Sequence, residues 1–234
     1  MDRRILAAAF KLTMPVLAGY FFMGAAFGLM LEAIGYGVIW AFIMSLSVYA
    51  GSAQYLGVEL LYTGAVITQV ALLTFLLNFR HVVYGLSMLD KFRGMGFKKL
   101  YMIFSLTDET YALLSSPGLP ESPRPKTLYF CVAVLNHLYW VVGSVIGSVA
   151  GALITFNTQG IEFAMTAMFL VIAVEQWQSA KSRLPAFIGA GGALVSLMLF
   201  GSAHMLLPTL GIMVALLLLL RTKLEKKIGE GAGQ

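Results

Sequence analysis

The chain has 234 residues, of which 59% are hydrophobic and 12% charged, and its mean hydropathy is +0.83. Soluble domains carry about 25% charged residues, so a soluble globular protein is excluded and the sequence reads as an all-α polytopic membrane protein. The formal net charge of +5 sits mostly in loops and tail, where it reports topology and contact with the lipid bilayer, not nucleic-acid binding.

At about 1.5 Å per residue, roughly 20 apolar residues cross a hydrocarbon core of about 30 Å, so the length allows about seven transmembrane helices and no separate soluble domain. The single cysteine, Cys131, lies in an apolar run, which rules out disulfides and a cysteine-based metal site. Arg3 and Arg4 precede an apolar stretch, but the small residues Ala7, Ala8 and Ala9 come before the hydrophobic run and not after it. The N-terminus therefore reads as the start of the first membrane helix rather than a cleaved signal.

Residues 13–33 form the first expected span, opened by Pro15 and carrying Gly24 and Gly28 at a small-xxx-small spacing that lets helices approach closely. Residues 38–60 form a second, interrupted near its middle by Ala50-Gly51-Ser52-Ala53-Gln54. Such breaks are tolerated at membrane depth only where protein or a cavity satisfies the freed backbone groups. Residues 66–88 follow, with Asn78, Arg80 and His81 inside an otherwise apolar run. The next loop holds Lys91, Arg93, Lys98 and Lys99, a cytoplasmic signature. Residues 100–114 enclose Thr107-Asp108-Glu109-Thr110, are too short for an ordinary span and read as re-entrant. A polar, proline-rich connection over 115–126 separates the halves.

Residues 127–154 read as one long helix with Gly143, Gly147 and Gly151 on one face, most simply a packing face. Residues 162–177 cross back, and 186–200 and 204–220 form a hairpin around Gly201. Arg221, Lys223, Lys226 and Lys227 in the tail put the C-terminus in the cytoplasm. The first half conflicts with this rule. Arg3, Arg4 and Lys11 place the N-terminus inside, yet three plain crossings would put the basic 91–99 loop outside. A broken or re-entrant pair within 66–88 would remove the conflict.

Some helices are thus expected to be broken or re-entrant, and a two-repeat architecture with halves 1–117 and 118–234 is worth testing. The run from Tyr20 to Gly28 aligns with Tyr139 to Gly147, and with short insertions Gln54 falls on Gln176 and His81 on His204. Secondary transporters with such repeats bind substrate at discontinuous helices between them.

A cation at bilayer depth costs on the order of 2.5 to 3.5 kcal/mol, so Arg80 is expected to face protein or a watery cavity. Its fixed positive charge suits a substrate carboxylate; the competing reading is an ion pair with Asp108 or Glu109. On a regular helix Asn78 and His81 share a face and Arg80 lies about 100° away, so all three meet in one cavity only if the helix breaks. Gly51, Ser52 and Gln54 would offer backbone and amide groups to a zwitterion, or form a packing notch. His81, Asp108 and Glu109 are proton-coupling candidates. Asp108 and Glu109 are adjacent, hence divergent, and are not a carboxylate dyad. His137 and His204 read as lone buried histidines, and Glu175 and Gln176 as interfacial, with Gln176 and His204 kept as secondary candidates. Dispersed histidines make a metal site unexpected, and no cofactor is implied. Neither His-Glu-x-x-His nor Gly-x-Ser-x-Gly occurs, so an enzyme is not expected.

In order, Phe27-Gly28, the run Ser45 to Gln54, Asn78-Phe79-Arg80-His81 with Tyr84-Gly85, and Thr107-Asp108-Glu109 resemble the large subunit of the AzlC-type (azaleucine-resistance) branched-chain amino-acid exporters. The resemblance spans about residues 20–110. It implies a proton-driven permease of the bacterial inner membrane that exports valine, leucine and isoleucine with a small AzlD-type membrane subunit. Phe79 stands where a leucine is expected. On this basis Arg80 and residues 51–54 would hold the carboxylate, and Phe27, Tyr49 and Phe79 would surround the aliphatic side chain. A channel, a transporter for another small metabolite and a non-transporting assembly subunit are the competing readings.

Overall fold

The computed structural model describes residues 3–116, 119, 122–153, 170, 173–174, 177–178, 183–201 and 206–219. The chain divides into two compact units, Met1–Met165 and Thr166–Gln234. Among the described residues all regular structure is helical. The first unit contains α1 (Arg3–Ala33), α2 (Val38–Ser47), α3 (Gly51–Tyr62), α4 (Ile67–Ser87), α5 (Lys98–Phe104), α6 (Asp108–Ser115) and α7 (Pro125–Leu153); the second contains α8 (Leu184–Phe200) and α9 (Leu206–Leu219). Three of these, α1, α4 and α7, are long and apolar enough to cross a membrane.

The first unit is built on the α1–α7 pair, which glycine brings into backbone contact. A Cβ on Gly24 would sit 2.8 Å from the Trp140 carbonyl, and one on Gly143 would sit 2.6 Å from that of Phe21. At Gly28 and Gly147 an added Cβ would collide with the Ser144 and Ala25 carbonyls. Further along, Gly151 faces Glu32, whose carboxylate accepts from the Ser148 hydroxyl at 2.6 Å. Partners rise in number together on the two helices, so α1 and α7 run parallel. Without a hydrophobic drive between helices in lipid, small residues of this kind gain dispersion and exclude lipid from the seam.

Helix α1 starts at Arg3, ten residues before the expected span, and passes through Pro15. Proline removes one backbone donor from the interior ladder. The Thr13 hydroxyl donates to the Ala9 carbonyl at 3.0 Å in the turn just before it.

Helices α2 and α3 do not form the expected interrupted span; they fold back as a hairpin. Gln54 on α3 bonds Ser45 on α2, and Gly57 faces Met44, so the two run antiparallel. The reversal is at Tyr49, whose φ of +41° lies in the left-handed region that costs non-glycine residues about 1–3 kcal/mol. At about 1.5 Å per residue α2 is roughly 15 Å long and α3 roughly 18 Å, half of a bilayer core. The tip reaches the middle of the long pair, where the Tyr49 ring stacks on His137 at 4.1 Å.

The expected re-entrant segment 100–114 is a second half-depth hairpin, made of α5 and α6, entering from the opposite end. Lys98 lies over the Phe130 ring, Tyr101 and Phe104 reach His137, and the chain turns at Ser105 to Thr107. It then descends past Asn136, bonded by Thr110, to Leu114, whose carbonyl accepts from Lys91 at 2.6 Å. The expected break within 66–88 is absent. Nothing in the described α4 interrupts its ladder: the only glycine, Gly85, is two residues from the end and there is no proline. Helix α4 therefore runs unbroken and antiparallel to α1 and α7, delivering Met88 and Phe92 into a core with Ile5, Leu128 and Val132.

In the second unit α8 and α9 form the expected hairpin. Gly192 faces Ile212, Gly189 faces Met213, and Gly201 turns the chain at φ +71°. Gln176 and His204 lie outside the described residues.

Candidate functional site

The two hairpins bring two helix starts to the middle of the first unit. Helix α3 begins after Ala50 with no side-chain cap, and Gly51 lets that start lie close to the long pair: a Cβ there would be 3.1 Å from the Trp140 ring. Helix α6 begins at Asp108 after the N-cap Thr107, which accepts from the Thr110 amide at 3.3 Å. Helix starts carry partial positive charge, roughly half an elementary charge each, so the pair favours an anion between them.

Arg80, arriving on α4, joins them. Its Nη2 donates to Ser52 Oγ at 2.7 Å, and its Nη1 lies 2.5 Å from Asp108 Oδ2. The ion-pair reading of Arg80 with Asp108 is therefore realised in this structure. Both side chains remain about one-third exposed, 33% and 30%. Arg80 Nε and Asp108 Oδ1 have no hydrogen-bond partner. The bridge thus leaves a nitrogen of the cation and an oxygen of the anion unsatisfied.

Other expected site residues diverge. Because α4 is regular, Asn78 and His81 occupy a different face from Arg80. His81 packs edge-on against Tyr84, which stacks on Tyr111 at 4.6 Å, while Asn78 Oδ1 is buried without a partner. Gln54 turns away from Arg80: its amide donates to Ser45 Oγ at 3.3 Å and its Oε1 accepts from the Trp140 indole at 2.9 Å, the packing reading of that residue. Asp108 and Glu109 diverge as expected, since Glu109 accepts from the Tyr20 hydroxyl at 2.6 Å. The apolar lining is not gathered in one place. Phe27 is fully buried against Tyr55, whose hydroxyl bonds the Met23 carbonyl, and Phe79 is exposed beside Phe75.

A buried polar layer behind the bridge is formed by residues that sequence reasoning did not single out for chemistry. Tyr20 OH bonds Thr107 Oγ1 at 2.6 Å, Thr107 bonds Thr110 at 3.0 Å, and Asn136 donates to Thr110 at 3.0 Å. The Tyr49 hydroxyl and Asn136 Oδ1 are buried there without partners. Polar residues so deep in an apolar chain are the signal that could have found them.

This arrangement, two half-depth hairpins around an intramembrane arginine, can be set beside known proteins. Residues 15–154 match the family described as AzlC protein. The chain belongs to the AzlC family. It is 39% identical over 94% of its length to a branched-chain amino acid transport protein AzlC of Bacillus subtilis, covering 86% of that protein. It is also 41% identical to an uncharacterized membrane protein of Helicobacter pylori, with 93% and 95% coverage. An inner membrane protein, YgaZ, of Escherichia coli is 26% identical over 81% of this chain and 80% of that one. No solved structure matches. The AzlC match runs from Pro15 within α1 past the end of α7, so both hairpins and the Arg80 bridge fall inside the family region.

Proposed function

We propose that this AzlC-family membrane protein is a secondary transporter that exports branched-chain amino acids across the bacterial inner membrane. The observation that carries this is Arg80, held by Ser52 and Asp108 between the starts of α3 and α6 with Nε and Asp108 Oδ1 unpartnered. A carboxylate taken by Arg80 and the α3 start at Gly51 and Ser52, and an ammonium taken by Asp108, would use both unsatisfied groups at once. The name of the Bacillus subtilis relative supports a branched-chain side chain on that headgroup.

For proton coupling, Glu109 is favoured over His81 and Asp108. Asp108 is committed to Arg80, whereas Glu109 lies in the buried layer with a tyrosine hydroxyl as its partner. A carboxyl so placed can bind and release a proton without breaking the substrate bridge.

The hairpins support one topology. Arg3, Arg4, Lys91, Arg93, Lys98, Lys99, Arg124 and Lys126 all lie at the end where α1 and α7 begin and α4 finishes. Residues 32–66, at the other end, contain no lysine or arginine. The basic end is cytoplasmic by the positive-inside rule, and the return of α2–α3 to its own side removes the charge conflict that three plain crossings create. The basic tail puts the C-terminus on the same side.

The two-repeat plan is supported by the α1–α7 seam. Superposing Tyr20 on Tyr139 maps the Gly24–Trp140 contact onto Gly143–Phe21, and Gly28–Ser144 onto Gly147–Ala25. Parallel helices exchanged in this way imply a two-fold axis along the membrane normal. A small AzlD-type membrane subunit is the expected partner.

The test is growth on a toxic branched-chain analogue. Cells expressing the chain with its small partner gene should resist it, and Arg80→Ala cells with equal membrane protein should not. Resistance retained by Arg80→Ala would remove the carboxylate role.

A further inference from the structure

Five residues of α7, Asn136 to Trp140, hold both hairpins. Trp140 Nε1 donates to Gln54 of α3 at 2.9 Å, and Asn136 Nδ2 donates to Thr110 of α6 at 3.0 Å. His137 stands between them and touches both hairpins: Nε2 lies 3.1 Å from the Ser45 carbonyl of α2, and Nδ1 lies 3.0 Å from the Tyr101 hydroxyl of α5. A carbonyl only accepts, so Nε2 carries the hydrogen, and in the neutral ring Nδ1 accepts from Tyr101. The Ser45 carbonyl needs this donor because α2 ends beneath it: the Tyr49 amide bonds Met44, not Ser45.

We infer that His137 is a positioning residue for transport, the shared post on which the two half-depth hairpins close. Each hairpin has its own second tether, Trp140 for α2–α3 and Asn136 for α5–α6, so either can leave α7 while the other stays. Because the hairpins enter from opposite ends, releasing one opens the Arg80 bridge to one side of the membrane only. Tyr49, stacked on the His137 ring, and Phe104, edge-on to it at 5.9 Å, seal the same post from the two tips. Backbone freed at membrane depth is tolerated only where such partners exist, which is why a histidine and an asparagine are buried here among apolar side chains.

This inference rests on reading the Arg80 bridge as a transport site, and its test does not depend on the substrate. In full-length protein with Cys131→Ser, reconstituted in vesicles, reporter cysteines are placed at Ala50 and Ser105, the two hairpin tips. A membrane-impermeant maleimide is then added from one side or the other. Tyr101→Phe and Thr110→Val remove tethers of α5–α6 alone and should raise labelling of the Ser105 reporter from the α5–α6 end. The expected rise is on the order of fivefold, as for one lost neutral hydrogen bond. Trp140→Phe and Gln54→Met should do the same for the Ala50 reporter from the opposite end. His137→Leu should raise both, and His137→Gln, which keeps one donor and one acceptor, should restore much of the closure. Equal labelling from both ends in Tyr101→Phe, or no change in the four tether variants, would overturn the shared post. Side-specific labelling in a protein that moves no branched-chain amino acid would leave the post standing and overturn the substrate assignment instead.

Discussion

Arg80 on α4 and Asp108 at the start of α6 meet at 2.5 Å, joining a membrane-length helix to the tip of a hairpin that enters from the end where that helix finishes. An ion pair in that position ties α4 to the hairpin, and in the proposed transport reading it has a second role as a charge-complementary headgroup site. A double mutant separates them. Arg80→Ala alone leaves Asp108 uncompensated and should lower thermal stability by up to about 3 kcal/mol. Arg80→Ala with Asp108→Asn should recover much of that stability while transport stays lost. Recovery of transport in the double mutant, measured by counterflow of leucine in vesicles, would make the pair structural only.

The α1–α7 seam should be intolerant of a single methyl group. Gly28→Ala and Gly147→Ala each push a Cβ into a backbone carbonyl and should cost about 1–3 kcal/mol, read as a fall in melting temperature of the detergent-solubilised protein. Gly19→Ala, on the same helix with nothing within 4 Å of the added Cβ, is the control and should be neutral or slightly stabilising. Equal effects at Gly19 and Gly28 would contradict the close approach.

That seam was legible in the sequence, since small residues every fourth position identify a packing face in a membrane helix. The hairpins were half legible. A polar break at Ala50 to Gln54 announced an interruption, but periodicity alone could not distinguish a kinked crossing from a reversal, which is decided by Tyr49 entering the left-handed region. The basic 91–99 loop carried the missing information as a charge conflict, and the resolution lies in α2–α3 rather than in α4. Within the site, the pairing of Arg80 with Asp108 was among the alternatives, but Tyr20, Asn136 and Trp140 gave no motif. Their roles come from long-range contacts such as Tyr20 to Glu109 that no local spacing encodes.

Glu109 and Tyr20 should couple transport to the proton gradient. Glu109→Gln keeps the acceptor for Tyr20 but cannot exchange a proton, so exchange of leucine across vesicles should persist while accumulation driven by an imposed pH difference is lost. Tyr20→Phe should weaken both the driven and the exchange modes less than Arg80→Ala does. An unaltered response of Glu109→Gln to the pH difference would assign the proton to another group, with His81→Gln the next variant to measure.

The re-entrant path of α2–α3 has a consequence for sidedness that a crossing helix does not share. If α2 and α3 each span half the core and return, Ile34 before the hairpin and Thr63 after it lie on one side of the membrane, and Phe97, beyond α4, lies on the other. If instead the two formed one kinked crossing, Ile34 and Thr63 would be on opposite sides and Phe97 would share the side of Ile34. Thr63 and Phe97 are exposed, so cysteines there should react without disturbing the core. In a Cys131→Ser background, Ile34→Cys and Thr63→Cys should be labelled by an impermeant maleimide added to intact spheroplasts, and Phe97→Cys only after the membrane is opened. Labelling of Thr63→Cys only in opened membranes, with Ile34→Cys reactive in intact ones, would replace the hairpin by a crossing. The Arg80 bridge would then no longer lie between helix starts that enter from opposite sides.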